Sequence, residues 1–204
     1  MALRLLTVSV MLGALSLWAQ DVVPGEAVKP NNRVEVPDLP KIVAADNSAA
    51  EVAKAAVAIV LSAYGVTCER NSQVNSVIDD RTASSLRSLS GKVAGSTCEQ
   101  EGRLLRLTST FVPNASIHPD EVIHALDEDN PILIRWKGDL YVLWAALYDI
   151  QVYSDGHRFN VIRELLLIDP RYSDVRRFVS YKREKAAFTD IEGIAFVGVA
   201  EPEH

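Results

Sequence analysis

The stretch S-A-A-E-V-A-K-A-A-V-A-I-V-L-S-A-Y-G, residues 48–65, decides how this chain folds. Ser48 and Glu51 stand at the spacing of a capping box, in which each side chain accepts a hydrogen bond from the other residue's backbone N–H. Gly65 is the residue type that most often closes a helix. Almost every position between them is apolar, so the pattern predicts a helix that is buried on nearly all sides.

The segments after this helix predict first short helices and then strands. Residues 69–91 are polar and predict two short helices, whereas residues 103–108 alternate like a strand. Pro119 suits the first position of a helix that runs to about Glu128. A turn at residues 137–139 predicts a hairpin between the first two of the strands that follow. Those predicted strands cover residues 131–136, 140–148, 161–168, 177–181 and 194–199.

The first 46 residues differ from the rest of the chain. Residues 1–20 have the order of a secretory signal, with Arg4 in a short positive region, an apolar run to Leu17, and Ala19 before the cleavage point. The run is shorter than the ~20 apolar residues of a spanning helix, which favours cleavage over an uncleaved anchor. Four prolines in residues 21–46 oppose helix and central strand, and they predict a flexible or extended tail, with docking of its end on the domain left open. We therefore expect a periplasmic or secreted protein without stable membrane insertion after cleavage.

The remaining residues, 47–200, have the length of one domain. Helices followed by an antiparallel sheet predict an α+β fold, in which the buried helix packs on that sheet. The formal net charge is −6. Because nucleic-acid phosphates attract Lys and Arg, this charge argues against nucleic acid as a partner. We expect a peptide, a protein or a small molecule instead.

The chain has two cysteines, Cys68 and Cys98. An even count in an exported chain favours a disulfide between them, the alternative being two unpaired thiols too far apart to bridge. The sequence lacks C-x-x-C and H-E-x-x-H, and its four histidines do not cluster at ligand spacing. Neither a metal site nor a cofactor is therefore predicted.

Three segments in sequence order resemble the papain-like cysteine peptidases, in particular their C39-like branch. Residues 52–65 match the length and apolar pattern of that family's central helix, C-G-P-A-A-L-A-M-V-L-x-Y-Y-G. Residues 130–143 match a strand opened by proline and a turn into G-H-x-V-V-L, and residues 165–170 match a strand that ends in Asp-Pro. The resemblance covers about residues 47–199 and implies a papain-like fold.

The resemblance keeps only one of the family's three catalytic residues. In that family a thiolate attacks the substrate, a histidine moves the proton, and an Asp or Asn orients the histidine. Carried over by position, the nucleophile falls on Val52, the base on Leu140 and the orienting residue on Asp169. Neither Val52 nor Leu140 can perform this chemistry, so the resemblance implies a pseudopeptidase.

Three functional hypotheses follow from this comparison. The first is an inactive papain-like domain that binds a peptide or protein, with Trp136, Tyr141 and Trp144 as candidate contacts, although alternation along a strand favours core packing for at least two of them.

The second is a hydrolase of altered mechanism that pairs Asp169 with a distant histidine, either His118, His124 or His157. Asp169 has a structural alternative, since Asp before Pro commonly ends a strand. The third is a structural or assembly subunit of an exported complex.

Overall fold

A computed structural model describes residues 32–152, 154–172, 176–180 and 190–200, and at 176–180 it describes the backbone alone. The predicted signal sequence and the first part of the tail, residues 21–31, lie outside these ranges. Among the described helices, none is long and apolar enough to cross a membrane. The elements in chain order are β1 (Asn32–Glu35), α1 (Ala49–Ser62), α2 (Gln73–Val77), a 3-10 turn (Thr82–Ser84), α3 (Leu86–Val93), β2 (Thr97–Gln100), β3 (Arg103–Pro113), a second 3-10 turn (Asn114–Ser116), α4 (Pro119–Asp127), β4 (Ile132–Trp136), β5 (Asp139–Val152), β6 (Arg158–Ile168), β7 (Arg176–Ser180) and β8 (Ile191–Val199).

One antiparallel sheet organises the domain. Its strand order is β2-β3-β8-β4-β5-β6-β7, and β1 pairs with β5 beside this path. On one edge of β5, β4 pairs with residues 139–143 and β1 pairs with residues 145–148. The predicted α+β class, with a sheet of antiparallel strands, is therefore confirmed.

The predicted β4–β5 hairpin is also confirmed. Its two turn residues, Lys137 and Gly138, have φ angles of 51° and 84°. Positive φ at both central residues is the geometry of a type I′ turn, whose twist matches that of the flanking strands. Glycine adopts this conformation without steric cost, which explains its place at the second position.

Helices cover both faces of the sheet. Leu140 and Val142 of β5 belong to a buried cluster with the apolar residues of α1 and α3. Tyr141 and Leu143, which alternate with them, belong to a second buried cluster that includes the apolar side of α4. Successive strand residues point to opposite faces, so α1 and α4 lie on opposite sides of β5.

Helix α1 begins at the predicted residue but with half of the predicted capping box. Ser48 Oγ accepts a hydrogen bond from the backbone N–H of Glu51 at 3.3 Å. The backbone N–H of Ser48, which the box assigns to Glu51, donates instead to Asp46 Oδ1 at 2.8 Å, and Glu51 pairs with Lys54. Hydrogen bonds from the side chain and backbone of Ser48 lower the pKa of Asp46. Gly65, with φ 68°, follows the helix end as predicted.

Replacing this cap should weaken the fold measurably. We expect Ser48→Ala to lower the free energy of unfolding by about 1 kcal/mol, because the N–H of Glu51 loses its acceptor. Urea unfolding followed by circular dichroism measures the change. Ser62→Ala is the matched control, since Ser62 Oγ only donates back to the Ile59 carbonyl within the same helix. Equal effects of the two substitutions would show that the cap contributes nothing specific.

The tail differs from the sequence-based expectation. From Asn32 onward it docks on the domain, the alternative that the sequence left open, and its strand β1, which was not predicted, joins the sheet. Val34 and Val36 alternate with exposed residues and are 7% and 2% exposed. The prolines only flank this short strand, which is why their density did not prevent it.

The predicted disulfide is present. Cys68 and Cys98 are bonded, with Cα atoms 5.1 Å apart. The bond joins the loop after α1 to β2, a strand that the sequence pattern did not predict. Disulfides persist in oxidising compartments, so this bond fits a protein that works outside the cytoplasm.

Candidate functional site

The structure brings two of the three predicted site positions into one buried cluster. Val52 lies in the first turn of α1 and is 8% exposed, and Leu140 lies near the start of β5 and is 5% exposed. Both belong to the apolar cluster between α1 and the sheet. At these two positions the molecule therefore has packed hydrocarbon, which supplies neither a nucleophile nor a proton acceptor.

Asp169 follows β6 directly and is completely buried. Its carboxylate accepts three hydrogen bonds from Arg171, at 3.0 Å from the backbone N–H, 2.9 Å from Nε and 2.8 Å from Nη2. A buried carboxylate requires such a partner, because an unpaired charge in the interior is very costly. The local chain Asp-Pro-Arg thus folds back so that its own arginine neutralises its aspartate.

Arg171 also reaches the start of β5. Its Nη1 and Nη2 donate to the two carboxylate oxygens of Asp139 at 3.1 and 3.3 Å. The hydroxyl of Tyr141 donates to Asp139 at 3.3 Å and lies 3.5 Å from Arg171 Nη2. We call Asp139, Tyr141, Asp169 and Arg171 the Arg171 cluster. It links the end of β6 to the start of β5.

The charge balance of this cluster is fixed by the arginine. The hydrogen bond from Arg171 to Asp169 raises the pKa of the guanidinium above its already high ordinary value. Arg171 therefore stays protonated near neutral pH and cannot act as a proton acceptor there. The cluster joins the end of strand β6 to the start of strand β5, but Arg171 cannot serve as a general base in it.

The cluster lies on the other face of the sheet from Leu140. Tyr141 points toward the α4 side, while Leu140 points toward α1. The carboxylate that Arg171 links to Asp169 belongs to Asp139, one residue before the predicted base position. The sequence pattern pointed to Asp139, because the histidine of G-H-x-V-V-L directly follows glycine and Asp139 directly follows Gly138.

The three candidate histidines lie on the surface. His118 is exposed and occupies the N-cap position of α4 without a capping hydrogen bond from its side chain. The exposed His124 pairs with Glu128 at 3.4 Å. His157 precedes β6 and Asp169 follows it, so the 11-residue strand, ~36 Å long at ~3.3 Å per residue, lies between them. Within the described ranges, the side-chain hydrogen bonds of Asp169 come from Arg171 and not from a histidine.

The three candidate aromatic contacts are placed differently from one another. Trp136 and Tyr141 are 5% and 2% exposed, with ring centroids 6.1 Å apart in the core next to α4. Trp144 is half-buried, and the guanidinium of Arg33 lies 5.8 Å from its ring centroid. Core packing thus accounts for Trp136 and Tyr141. Trp144 lies nearer the surface, where Arg33 of β1 covers its ring.

The segment that joins β1 to α1, residues 37–47, contacts both the end of β6 and the cluster that contains Val52. The N–H of Ala44 donates to the carbonyl of Pro170 at 2.9 Å, directly beside Asp169. Leu39 and Ile42 pack against the cluster that contains Val52. The chain's own N-terminal segment therefore occupies the surface next to the predicted site.

No known protein family, curated protein or solved structure matches this chain. In the part of the chain that the structure describes, no group of three or more metal-ligating side chains occurs.

Proposed function

We propose that this chain is an exported papain-like domain of the C39-like type, without peptidase activity, that binds a peptide or protein partner. The observation that carries the proposal is the shared cluster of Val52 and Leu140, the positions to which the resemblance gives the nucleophile and the base, between the central helix and the sheet. By sequence position the resemblance gives the orienting role to Asp169, and the side chain that donates to this carboxylate is that of Arg171, not that of a histidine. A guanidinium with a raised pKa cannot shuttle protons, so this arrangement supports loss of catalysis.

Two further features support the proposal. Val52 and Leu140 form part of the buried contact between the central helix and the sheet, so the two positions that the resemblance assigns to the nucleophile and the base serve packing. The disulfide and the predicted signal sequence agree with a location outside the cytoplasm. A domain that keeps such a framework without its chemistry is suited to holding a segment that it does not cleave.

Two assays on the mature chain test this proposal. Incubated with an unfolded protein substrate, the chain should release no fragments above the level of the Asp169→Asn variant. In a selection from a random-peptide library, it should enrich peptides with a shared sequence pattern, and chain unfolded by reduction in urea serves as the control. Cleavage that the Asp169→Asn substitution abolishes would overturn the proposal in favour of a hydrolase. Failure to enrich any pattern, together with stoichiometric self-association, would favour an assembly subunit.

A further inference from the structure

The N-terminal strand β1 occupies a groove between the edge of β5 and helix α4. Its four residues pair antiparallel with residues 145–148 of β5, and the N–H of Val36 extends the ladder to the carbonyl of Trp144 at 2.8 Å. We call the edge of β5 at residues 144–148, together with the adjoining apolar side of α4, the β1 groove. The strand is thus held as an extended peptide would be.

The side chains of β1 alternate between the groove and solvent. Val34 and Val36 are buried in the cluster that contains Val122 and Leu126 of α4. Arg33 and Glu35 are about half exposed and form an ion pair with each other. In this mode of recognition the backbone ladder supplies affinity, and pockets for alternate side chains supply selectivity.

The connection of β1 to the domain is weak compared with that of the central strands. The ladder ends at Val36, because Pro37 has no N–H to donate. Asp38 follows with a positive φ of 52°, which turns the chain away from β5. β5 keeps its ladders with β4 and β6 when β1 leaves, so the strand can open locally without unfolding the sheet.

We propose that the β1 groove is the site at which this domain binds its partner, and that β1 is a built-in occupant that the partner displaces. This inference rests on the proposed function and specifies its ligand. The ligand is an extended segment of another protein, with aliphatic, preferably β-branched, residues at two alternating positions, as in R-V-E-V of β1. It pairs antiparallel with residues 144–148 of β5, and its two apolar side chains enter the positions of Val34 and Val36.

The first experiment uses a fluorescent peptide with the sequence of residues 31–37, N-N-R-V-E-V-P, added to the full mature chain. The Val34→Asp substitution places a charge in the apolar groove and so weakens the built-in strand without altering β5 or α4. Since apparent affinity scales with the fraction of open grooves, the variant should bind the peptide at least about tenfold more tightly than the wild type. A control peptide with both valines replaced by asparagine should not bind. Fluorescence anisotropy measures both, on variant protein whose near-ultraviolet circular dichroism matches the wild type.

The second experiment needs no variant. Amide hydrogen exchange on the wild-type chain should show the Val36 N–H exchanging about 100-fold faster than the amides of β4, because opening β1 leaves the sheet intact. Exchange as slow as that of β4 would overturn the inference, and so would equal peptide affinity of the wild type and a folded Val34→Asp variant. A wild-type dimer that dissociates when the β1 peptide is added would make a second copy of this chain the occupant in place of a partner.

The two proposals fail in distinguishable ways. If library-selected peptides bind but the β1 peptide does not compete with them, the domain binds peptides elsewhere and only the groove is wrong. If the β1 peptide binds the opened groove but the library yields no pattern even on the Val34→Asp variant, the groove accepts only this chain's own strand and the proposed function is wrong.

Discussion

Replacing Arg171 by methionine is expected to lower the free energy of unfolding by about 3–5 kcal/mol. Asp169 is completely buried. Within the part of the chain that is described, the side-chain donors to its carboxylate are Nε and Nη2 of Arg171. The substitution leaves this carboxylate without its charge partner, and removing one partner of a buried pair costs far more than the intact pair contributes. Urea unfolding at neutral pH measures the loss.

Two further variants separate this effect from a general loss of surface charge. Arg163→Met removes an arginine that pairs with Asp149 at 2.7 Å across the strands β5 and β6, with both side chains partly exposed. It should cost about 1 kcal/mol or less. The double variant Asp169→Asn/Arg171→Met removes both charges and should be more stable than Arg171→Met alone. A double variant no more stable than the single one would mean that the guanidinium acts by packing and not by neutralising Asp169.

The predictions that succeeded depend on local sequence. Helix α1 was predicted from Ser48 to Gly65 because capping residues and apolar periodicity act within a few residues of one another. The β4–β5 hairpin followed from a two-residue turn with glycine at its second position. In both cases the short-range signal and the tertiary packing favour the same structure, so the element forms where the sequence places it.

The features that the sequence pattern did not predict depend on contacts distant in sequence, with the half-formed capping box as a local exception. β1 pairs with a strand more than a hundred residues later, and its short R-V-E-V pattern becomes a strand only because β5 and α4 provide a partner for it. The Arg171 cluster joins residues 139 and 171, and a single sequence does not reveal which arginine neutralises a buried aspartate. The capping box formed by half because Asp46, two residues before Ser48, competes for the same N–H.

Positions 139 and 140 of β5 have different surroundings, so a shift of one residue in matching the papain-like pattern to this chain changes which contacts are compared. A shift of one position along a strand moves a side chain to the other face of the sheet. Position 140 points into the α1 core, whereas position 139 meets Arg171 and, through it, Asp169. Asp139 and Asp169 therefore meet through Arg171, whereas Leu140 belongs to the core on the α1 side.

Reducing the Cys68–Cys98 disulfide is expected to lower the free energy of unfolding by about 3–4 kcal/mol. The two cysteines are 30 residues apart in sequence, and closing a loop of that length restricts the unfolded chain. Hydrogen bonds beside the disulfide also join the two segments, since the N–H of Glu69 donates to the Glu99 carbonyl at 2.8 Å and the N–H of Glu99 donates to Ser72 Oγ at 2.9 Å. The reduced protein should therefore fold, but with lower stability.

The measurement compares urea unfolding of the oxidised and reduced wild type at one pH. The double variant Cys68→Ala/Cys98→Ala, with and without reductant, is the control and should show no difference between the two conditions. A difference below about 1 kcal/mol in the wild type would mean that the unfolded chain is already compact around this loop. A loss of the expected size would be a large fraction of the 5–15 kcal/mol typical of a domain. The chain would then reach its full stability only where thiols are oxidised, which ties the fold to the compartment that its predicted leader specifies.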